Sequence, residues 1–139
     1  FGVRSAMSTA YAMRICPHLT VVPPQFMKYR EASKAMRGIF EEYTEIIEPL
    51  SLDEAYLDVS ESSGESLTAT KIAKEIRAKV QKELDITVSA GVSVNKFIAK
   101  VASDWKKPDG LTVVTPEQVD VFVGTLPVKK IPGVGSVTA

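Results

Sequence analysis

The sequence is poor in the residues that build disulfide scaffolds and zinc sites. It contains 1 cysteine and 1 histidine in 139 residues, so no internal disulfide can form. A zinc site at Cys16 and His18 would lack the further thiolate or imidazole ligands that zinc requires. An excess of one charge is also missing, because 17 basic residues balance 17 acidic ones. Any surface that binds nucleic acid must therefore be local.

Long apolar runs are absent as well. No run approaches the roughly 20 residues that cross a bilayer, and no signal peptide is visible, so we expect no membrane partner. The chain is 45% hydrophobic and 24% charged, which is ordinary for a globular protein with a buried core. Because the sequence begins at Phe1 without a methionine, we expect a fragment of a longer protein.

Hydrophobic periodicity predicts a mixed helix and strand order. Apolar residues at helical spacing predict a helix from Phe26 to about Tyr43, and period two begins after it. The predicted elements are a strand at 19–22, that helix, paired strands within 45–60, a helix over 67–84, a strand at 87–93, a helix from near Val94 with Ser93 as its cap, a strand at 111–115 and a short helix from Pro116 to Val123. This order indicates an α+β fold with a ferredoxin-like (split βαβ) sheet and helices on it.

The stretch PLSLDEAYLDVS places two adjacent acids, Asp53 and Glu54, inside strand-like sequence. Apolar residues occupy even positions up to Leu52 and odd positions from Ala55 onward, and such alternation changes only at a turn or bulge. A turn there would let both carboxylates project toward one end of the sheet. Two interpretations stay open: an exposed hairpin tip, or a site for a hard divalent cation. We expect Asp58 to be a solvated residue.

Two other stretches carry candidate binding groups. In SAGVSVNKFIAKVASDWKKPDG, Lys96 and Lys100 lie one helical turn apart, and a solvated helix face is their plainest interpretation. Lys107 precedes a Pro-Asp-Gly turn and could meet a triphosphate or simply be exposed. In IPGVG (131–135), glycines at alternate positions could expose N–H groups to a phosphate or form an ordinary turn.

Taken in order, these three stretches resemble the Y-family translesion DNA polymerases, on the bacterial DNA polymerase IV (DinB-like) branch, over essentially the whole chain. The resemblance implies an error-prone, template-directed polymerase of DNA repair that uses two Mg²⁺ ions. It implies that Asp53 and Glu54 are metal-binding and catalytic residues and that Lys107 contacts the triphosphate. It further implies that Gly133, Val134 and Gly135 grip the DNA backbone in a helix-hairpin-helix.

The resemblance also implies a domain division and a set of partners. Residues 1–23 would end the fingers, 24–115 would form most of the palm, and 116–139 would begin the thumb. The implied partners are primer-template DNA, a dNTP and, through a tail absent here, a sliding clamp, in the bacterial cytoplasm. A family strand with another metal-binding aspartate would be missing, so we expect the fragment to be inactive alone. We also expect self-association through the exposed palm edge.

Two alternatives stay open beside a polymerase. A nucleotidyl cyclase-like palm enzyme could place carboxylates on the same sheet, because fold alone does not fix function. A non-catalytic DNA-binding fragment would carry Asp53 and Glu54 only as a surface turn. The IPGVG stretch argues against a cyclase, because a cyclase does not bind a DNA backbone. A metal-binding measurement would distinguish the polymerase from the non-catalytic fragment.

Overall fold

The structure, a computed structural model, describes residues 1–64 and 67–134. Over those ranges, helices alternate with short strands, which confirms the predicted α+β class. The helices are α1 (Thr9–Ile15), α2 (Phe26–Glu41), α3 (Ala69–Leu84), α4 (Lys96–Trp105) and α5 (Val119–Gly124), with short 3₁₀ turns at Pro116–Gln118 and Val128–Lys130. The strands are β1 (Ile47–Pro49), β2 (Ala55–Leu57), β3 (Ala90–Val92) and β4 (Leu111–Val113).

Helices α2 and α3 form the main core, as their apolar spacing predicts. Each helix contributes three side chains to one buried cluster, which the β1–β2 hairpin covers with further apolar residues. Burial of each such side chain contributes about 1.5–3 kcal/mol. Thr68 caps α3 by accepting a hydrogen bond from the Lys71 N–H at 3.3 Å. The buried cluster consists of Met36, Ile39, Phe40, Ile72, Ile76 and Val80.

Helix α4 begins later than the sequence predicts. Its N-cap is Asn95, whose side-chain oxygen accepts a hydrogen bond from the Ile98 N–H at 2.9 Å. The predicted cap, Ser93, instead donates its hydroxyl to the Val114 carbonyl at 3.0 Å. The predicted helix start near Val94 is therefore two residues too early, because the Ser93 hydroxyl already has a partner in another part of the chain.

The strands fall into two sheets of two strands each within the described ranges. β1 pairs with β2 in antiparallel register, and β3 pairs with β4 in parallel register. The predicted strand at 19–22 is wrong, because those residues form no strand and Val22 is exposed. A short apolar segment without a neighbouring strand cannot satisfy its backbone groups in a ladder.

A groove of about 1290 Å³ separates the two sheets. β2 lines one wall and β3 lines the other, and neither has a second strand partner among the described residues. Unpaired strand edges favour the addition of another strand. Self-association through the free edges of β2 and β3 stays a prediction. Across residues 1–64 and 67–134, every helix is too short or too polar to cross a bilayer.

Candidate functional site

The acid pair lies at the turn of the β1–β2 hairpin. The last paired residues are Pro49 and Ala55, and the Leu50 N–H closes the turn by donating to the Glu54 carbonyl at 2.9 Å. The chain therefore reverses direction between the two runs of alternating apolar residues. This confirms the turn that the change of alternation predicts, and it places Asp53 and Glu54 together at the hairpin end.

The Asp53 carboxylate is exposed and held in its charged form. Its Oδ1 accepts a hydrogen bond from the Ser51 hydroxyl at 2.6 Å. This hydrogen bond lowers the pKa of Asp53, and the positive charges of Lys107 and Lys100 lower it further. Asp53 is therefore an ionised oxygen ligand at neutral pH, available to a cation.

The Glu54 carboxylate forms an ion pair with Lys100 of α4. The Lys100 side chain is only 20% exposed, so it is not the solvated lysine that the helix pattern suggests. One turn earlier, Lys96 pairs with Glu48 of β1, but its side chain is 62% exposed, as expected of a solvated helix face. Both lysines thus point across the groove toward the hairpin, and helix periodicity cannot reveal which element lies opposite a polar face.

Lys107 lies in the turn that follows α4 and lines the groove together with the acid pair. Its Nζ lies 2.6 Å from Asp104 Oδ1. That hydrogen bond raises the pKa of Lys107, and the charges of Glu54 and Asp53 add to the effect. The side chain is 55% exposed, so it is held near the carboxylates and is still open to a ligand.

All four charged groups line the same groove between the sheets. Asp53 and Glu54 supply negative charge from the hairpin, while Lys100 and Lys107 supply positive charge from α4 and its following turn. Carboxylates that could hold a cation and ammonium groups that could bind a phosphate are thus brought together. Asp58 also lines the groove, but it is exposed and accepts hydrogen bonds from Ser60, as expected of a solvated residue.

The donor set fits a magnesium ion by its chemistry. Mg²⁺ is usually bound through one or two carboxylates, with waters and substrate phosphates completing the shell. Asp53 and Glu54 match that requirement. No group of three or more His, Cys, Asp or Glu side chains in the described ranges could hold a metal, so protein ligands alone would not fill the coordination shell. A cation at Glu54 would also compete with Lys100.

The glycine stretch near the end of the chain forms a turn away from the groove. Gly133 adopts a left-handed conformation with φ of 84°, and the Val134 N–H donates to the Ile131 carbonyl at 3.0 Å. Only glycine adopts this conformation at no steric cost. Neither Gly133 nor Val134 lines the groove, and Gly135 lies outside the described residues.

Two residues of the site occupy positions that the sequence favours as an ordinary polar helix surface. The helical spacing favours a solvated position for Lys100, and Arg77 of α3 lies among the polar positions of an amphipathic helix. Arg77 contacts the turn that carries Lys107. A partly buried arginine facing an Asp-Gly turn is visible only once the elements are packed, so no local pattern could have identified it.

We predict that Ser51→Ala raises the pKa of Asp53, because it removes the hydrogen bond that stabilises the carboxylate. Carboxyl-selective NMR titration of the metal-free chain measures this. The lowered pKa means that the hydrogen bond stabilises the fold above the unfolded pKa, and that this stabilisation disappears as pH falls through the folded pKa. Ser60→Ala is the matched control, since Ser60 lowers the pKa of Asp58 in the same way. An unchanged Asp53 titration in Ser51→Ala would contradict the prediction.

Comparison with protein families finds a match over most of the chain. The family model described as the impB/mucB/samB family matches residues 1–104. Among curated proteins, DNA polymerase IV of Pseudomonas putida (strain GB-1) is 60% identical over all 139 residues, which cover 39% of that protein. DNA polymerase IV of Ectopseudomonas mendocina (strain ymp) is also 60% identical, with 40% of its length covered. The chain thus spans about two fifths of these relatives.

Solved structures of DNA polymerases share the fold of this chain. The crystal structure of DinB from Sulfolobus solfataricus matches 98% of this chain and 40% of its own, with a TM-score of 0.88 and 36% sequence identity. The structure described as the insertion ternary complex of Dbh DNA polymerase matches the same shares with a TM-score of 0.86 and 36% identity. The predicted resemblance to Y-family DNA polymerases is confirmed.

Proposed function

The chain belongs to the impB/mucB/samB family, and from that membership we propose that it is the catalytic portion of a template-directed, translesion DNA polymerase. The observation that carries the proposal is the groove in which Asp53 and Glu54 face Lys100 and Lys107. Nucleotidyl transfer needs carboxylates for divalent metals and cations for the triphosphate, both held by a rigid scaffold. The names of the curated relatives favour a polymerase over a cyclase or a silent fragment.

Three charged side chains of the groove, Asp53, Glu54 and Lys107, receive roles in this proposal. Asp53 and Glu54 would hold Mg²⁺, and both act as catalytic carboxylates. Bound Mg²⁺ supplies Lewis-acid stabilisation of the phosphoryl oxygens and a lower pKa for the primer 3′-hydroxyl. Lys107 holds the triphosphate by charge-assisted hydrogen bonds. Because Asp53 is ionised at neutral pH, no proton has to leave it before it binds a cation.

The lysine at the acid pair has a separate effect on the metal-free groove. Lys100 neutralises Glu54, so the two adjacent carboxylates do not face each other as uncompensated charges. Removal of one member of a partly buried ion pair leaves the other charge without its partner. Lys100 therefore keeps the groove stable before cation and nucleotide enter, and it must release Glu54 when a cation binds there.

We further propose the domain division of a Y-family polymerase for this chain. Residues 1–23 belong to the fingers, 24–115 to the palm and 116–139 to the thumb. In support, the residues of both buried clusters lie between Met36 and Val114. The left-handed turn at Gly133 supports a backbone-phosphate grip by Gly133, Val134 and Gly135, because consecutive N–H groups can face an anion at such a turn.

The partners proposed for the whole protein follow from the same relatives. They are primer-template DNA, an incoming dNTP and a sliding clamp, in the cytoplasm of a bacterium. One solved neighbour is described as an insertion ternary complex, which supports two bound substrates at once. The balanced net charge is compatible with this, since base pairing with the template carries the sequence information.

The function is tested in a chimera in which this chain replaces the aligned 139 residues of the Pseudomonas putida polymerase. We expect the chimera to extend a primer on a DNA template with Mg²⁺ and dNTPs, and to stop when EDTA removes the metal. The isolated chain is the matched control, and we expect no extension from it, because two carboxylates are only part of a two-metal site. A chimera that folds and binds DNA without extending the primer would contradict the proposed function.

A further inference from the structure

Arg77 joins three parts of the fold with one guanidinium group. It lies on α3, and its Nε donates to the Val88 carbonyl at 3.0 Å, just before β3. Its Nη2 donates to the Asp109 carbonyl and to Asp109 Oδ1, each at 2.6 Å. The Arg77 side chain is 20% exposed and that of Asp109 is 45% exposed, so the contact with Val88 is partly buried while the ion pair with Asp109 is open to water on one side.

The turn that Arg77 holds has little conformational freedom. Asp109 adopts a left-handed conformation with φ of 49°, which Asp tolerates better than most residues. A Cβ atom at Gly110 would lie 2.1 Å from the Lys106 carbonyl oxygen, so the chain folds back tightly on the end of α4. The Gly110 N–H donates to the Ser89 hydroxyl at 3.1 Å. The turn is therefore fixed from α3 and from the approach to β3.

Lys107 is carried by this turn, two residues before Asp109. Lys107 lines the same groove as Asp53 and Glu54, and its Nζ lies 2.6 Å from Asp104 Oδ1. A lysine side chain has a flexible stem, so the place of the Lys107 charge depends both on the pair with Asp104 and on how firmly the Lys107 backbone is held. The backbone that follows Lys107 in the chain is anchored by the hydrogen bonds from Arg77 to Asp109.

We infer that Arg77 is a positioning residue for Lys107 and, through it, for the triphosphate of the incoming nucleotide. The effect on the triphosphate rests on the proposed function, whereas the anchoring of the turn by Arg77 is independent of catalysis. The planar guanidinium matters because it reaches two directions at once, toward Val88 and toward Asp109. A lysine at this position has a single charged nitrogen and cannot reproduce the fork.

The inference predicts an effect on nucleotide affinity in the chimeric polymerase. We expect Arg77→Met to raise KM for the dNTP about tenfold with less than about a threefold fall in kcat, because a displaced cation weakens binding more than chemistry. Arg77→Lys is expected to recover part of the affinity. Lys79→Met is the matched control, because Lys79 lies on the same helix and pairs with Glu42, away from the turn.

A double-mutant cycle separates positioning from general stability. If Arg77 acts through Lys107, Arg77→Met adds less than about a twofold change in KM to a Lys107→Ala chimera. An equal penalty in both backgrounds would overturn the inference and would leave Arg77 as a structural residue. A fall in kcat without a change in KM would overturn it as well.

A measurement on the 139-residue chain itself keeps the two proposals distinguishable. We expect Arg77→Met to speed hydrogen exchange at the Gly110 N–H about tenfold relative to Lys79→Met, with the amides of α2 unchanged, because local opening becomes easier. Unchanged exchange at Gly110 would overturn the inference even if the chimera polymerises. Loosened exchange together with an inactive unsubstituted chimera would overturn the proposed function and leave the anchoring of the turn intact.

Discussion

Asp53→Asn and Glu54→Gln are each expected to slow primer extension by the chimeric polymerase about a thousandfold at saturating dNTP. The reason is electrostatic: a metal-bound carboxylate supports several kcal/mol of transition-state stabilisation, and about 1.4 kcal/mol corresponds to tenfold in rate. Substitution by the neutral amide preserves size and removes charge. Single-turnover primer extension measures the chemical step directly.

The hairpin provides a control for each of these substitutions. Asp58→Asn removes the same charge from an exposed position five residues beyond Asp53, and Glu48→Gln breaks the neighbouring ion pair to Lys96. Both controls are expected to stay within about threefold of the unsubstituted rate, because surface pairs contribute little. Equal rates of primer extension for Asp53→Asn and Asp58→Asn would contradict a catalytic role for Asp53 and would indicate an ordinary hairpin tip.

Metal binding by the isolated chain gives the same test without catalysis. Mn²⁺ titration is expected to show weak binding, since two carboxylates leave most of the coordination shell to water. Asp53→Ala should abolish that binding, whereas Asp58→Ala should leave it unchanged. Binding that survives the loss of Asp53 would place the cation elsewhere on the chain.

Local sequence patterns predict the elements that depend on local forces. The apolar spacing of α2 and α3 predicts both helices closely, because one face of each helix must be buried. The change of alternation around Asp53 predicts the hairpin turn for an equally local reason, since side chains on a strand point to opposite faces in turn. These features need no knowledge of the rest of the molecule.

Contacts between distant segments are where sequence patterns fail. Ser93 and Asn95 are both good helix caps, and only the position of Val114 decides that Ser93 is used elsewhere. The pairing of Lys100 with Glu54 likewise joins residues 46 positions apart, so no helical pattern contains it. The family resemblance implies roles for Asp53, Glu54 and Lys107, whereas only the packing of the elements brings these side chains to one groove.

The close packing of α4 on β3 depends on one glycine, and Gly91→Ala is expected to destabilise the chain by about 3 kcal/mol. A Cβ atom at Gly91 would lie 2.0 Å from the Ala99 carbonyl oxygen and 2.5 Å from the Ser103 amide nitrogen. Both are backbone atoms of α4, so the clash is relieved only if the whole helix moves away from the sheet. Urea denaturation followed by circular dichroism measures the change.

Gly38→Ala is the matched control for the same chemical change. Gly38 lies inside α2 with no atom outside the helix backbone within 4 Å of an added Cβ, so alanine there should stabilise the chain by about 0.5–1 kcal/mol. The two substitutions are therefore expected to act in opposite directions. Because Lys100 of α4 pairs with Glu54, Gly91→Ala should also weaken the Lys100–Glu54 ion pair and displace the lysine side chains of the groove. An unchanged stability in Gly91→Ala would mean that α4 can shift freely, and the groove could not then hold its charges in fixed positions.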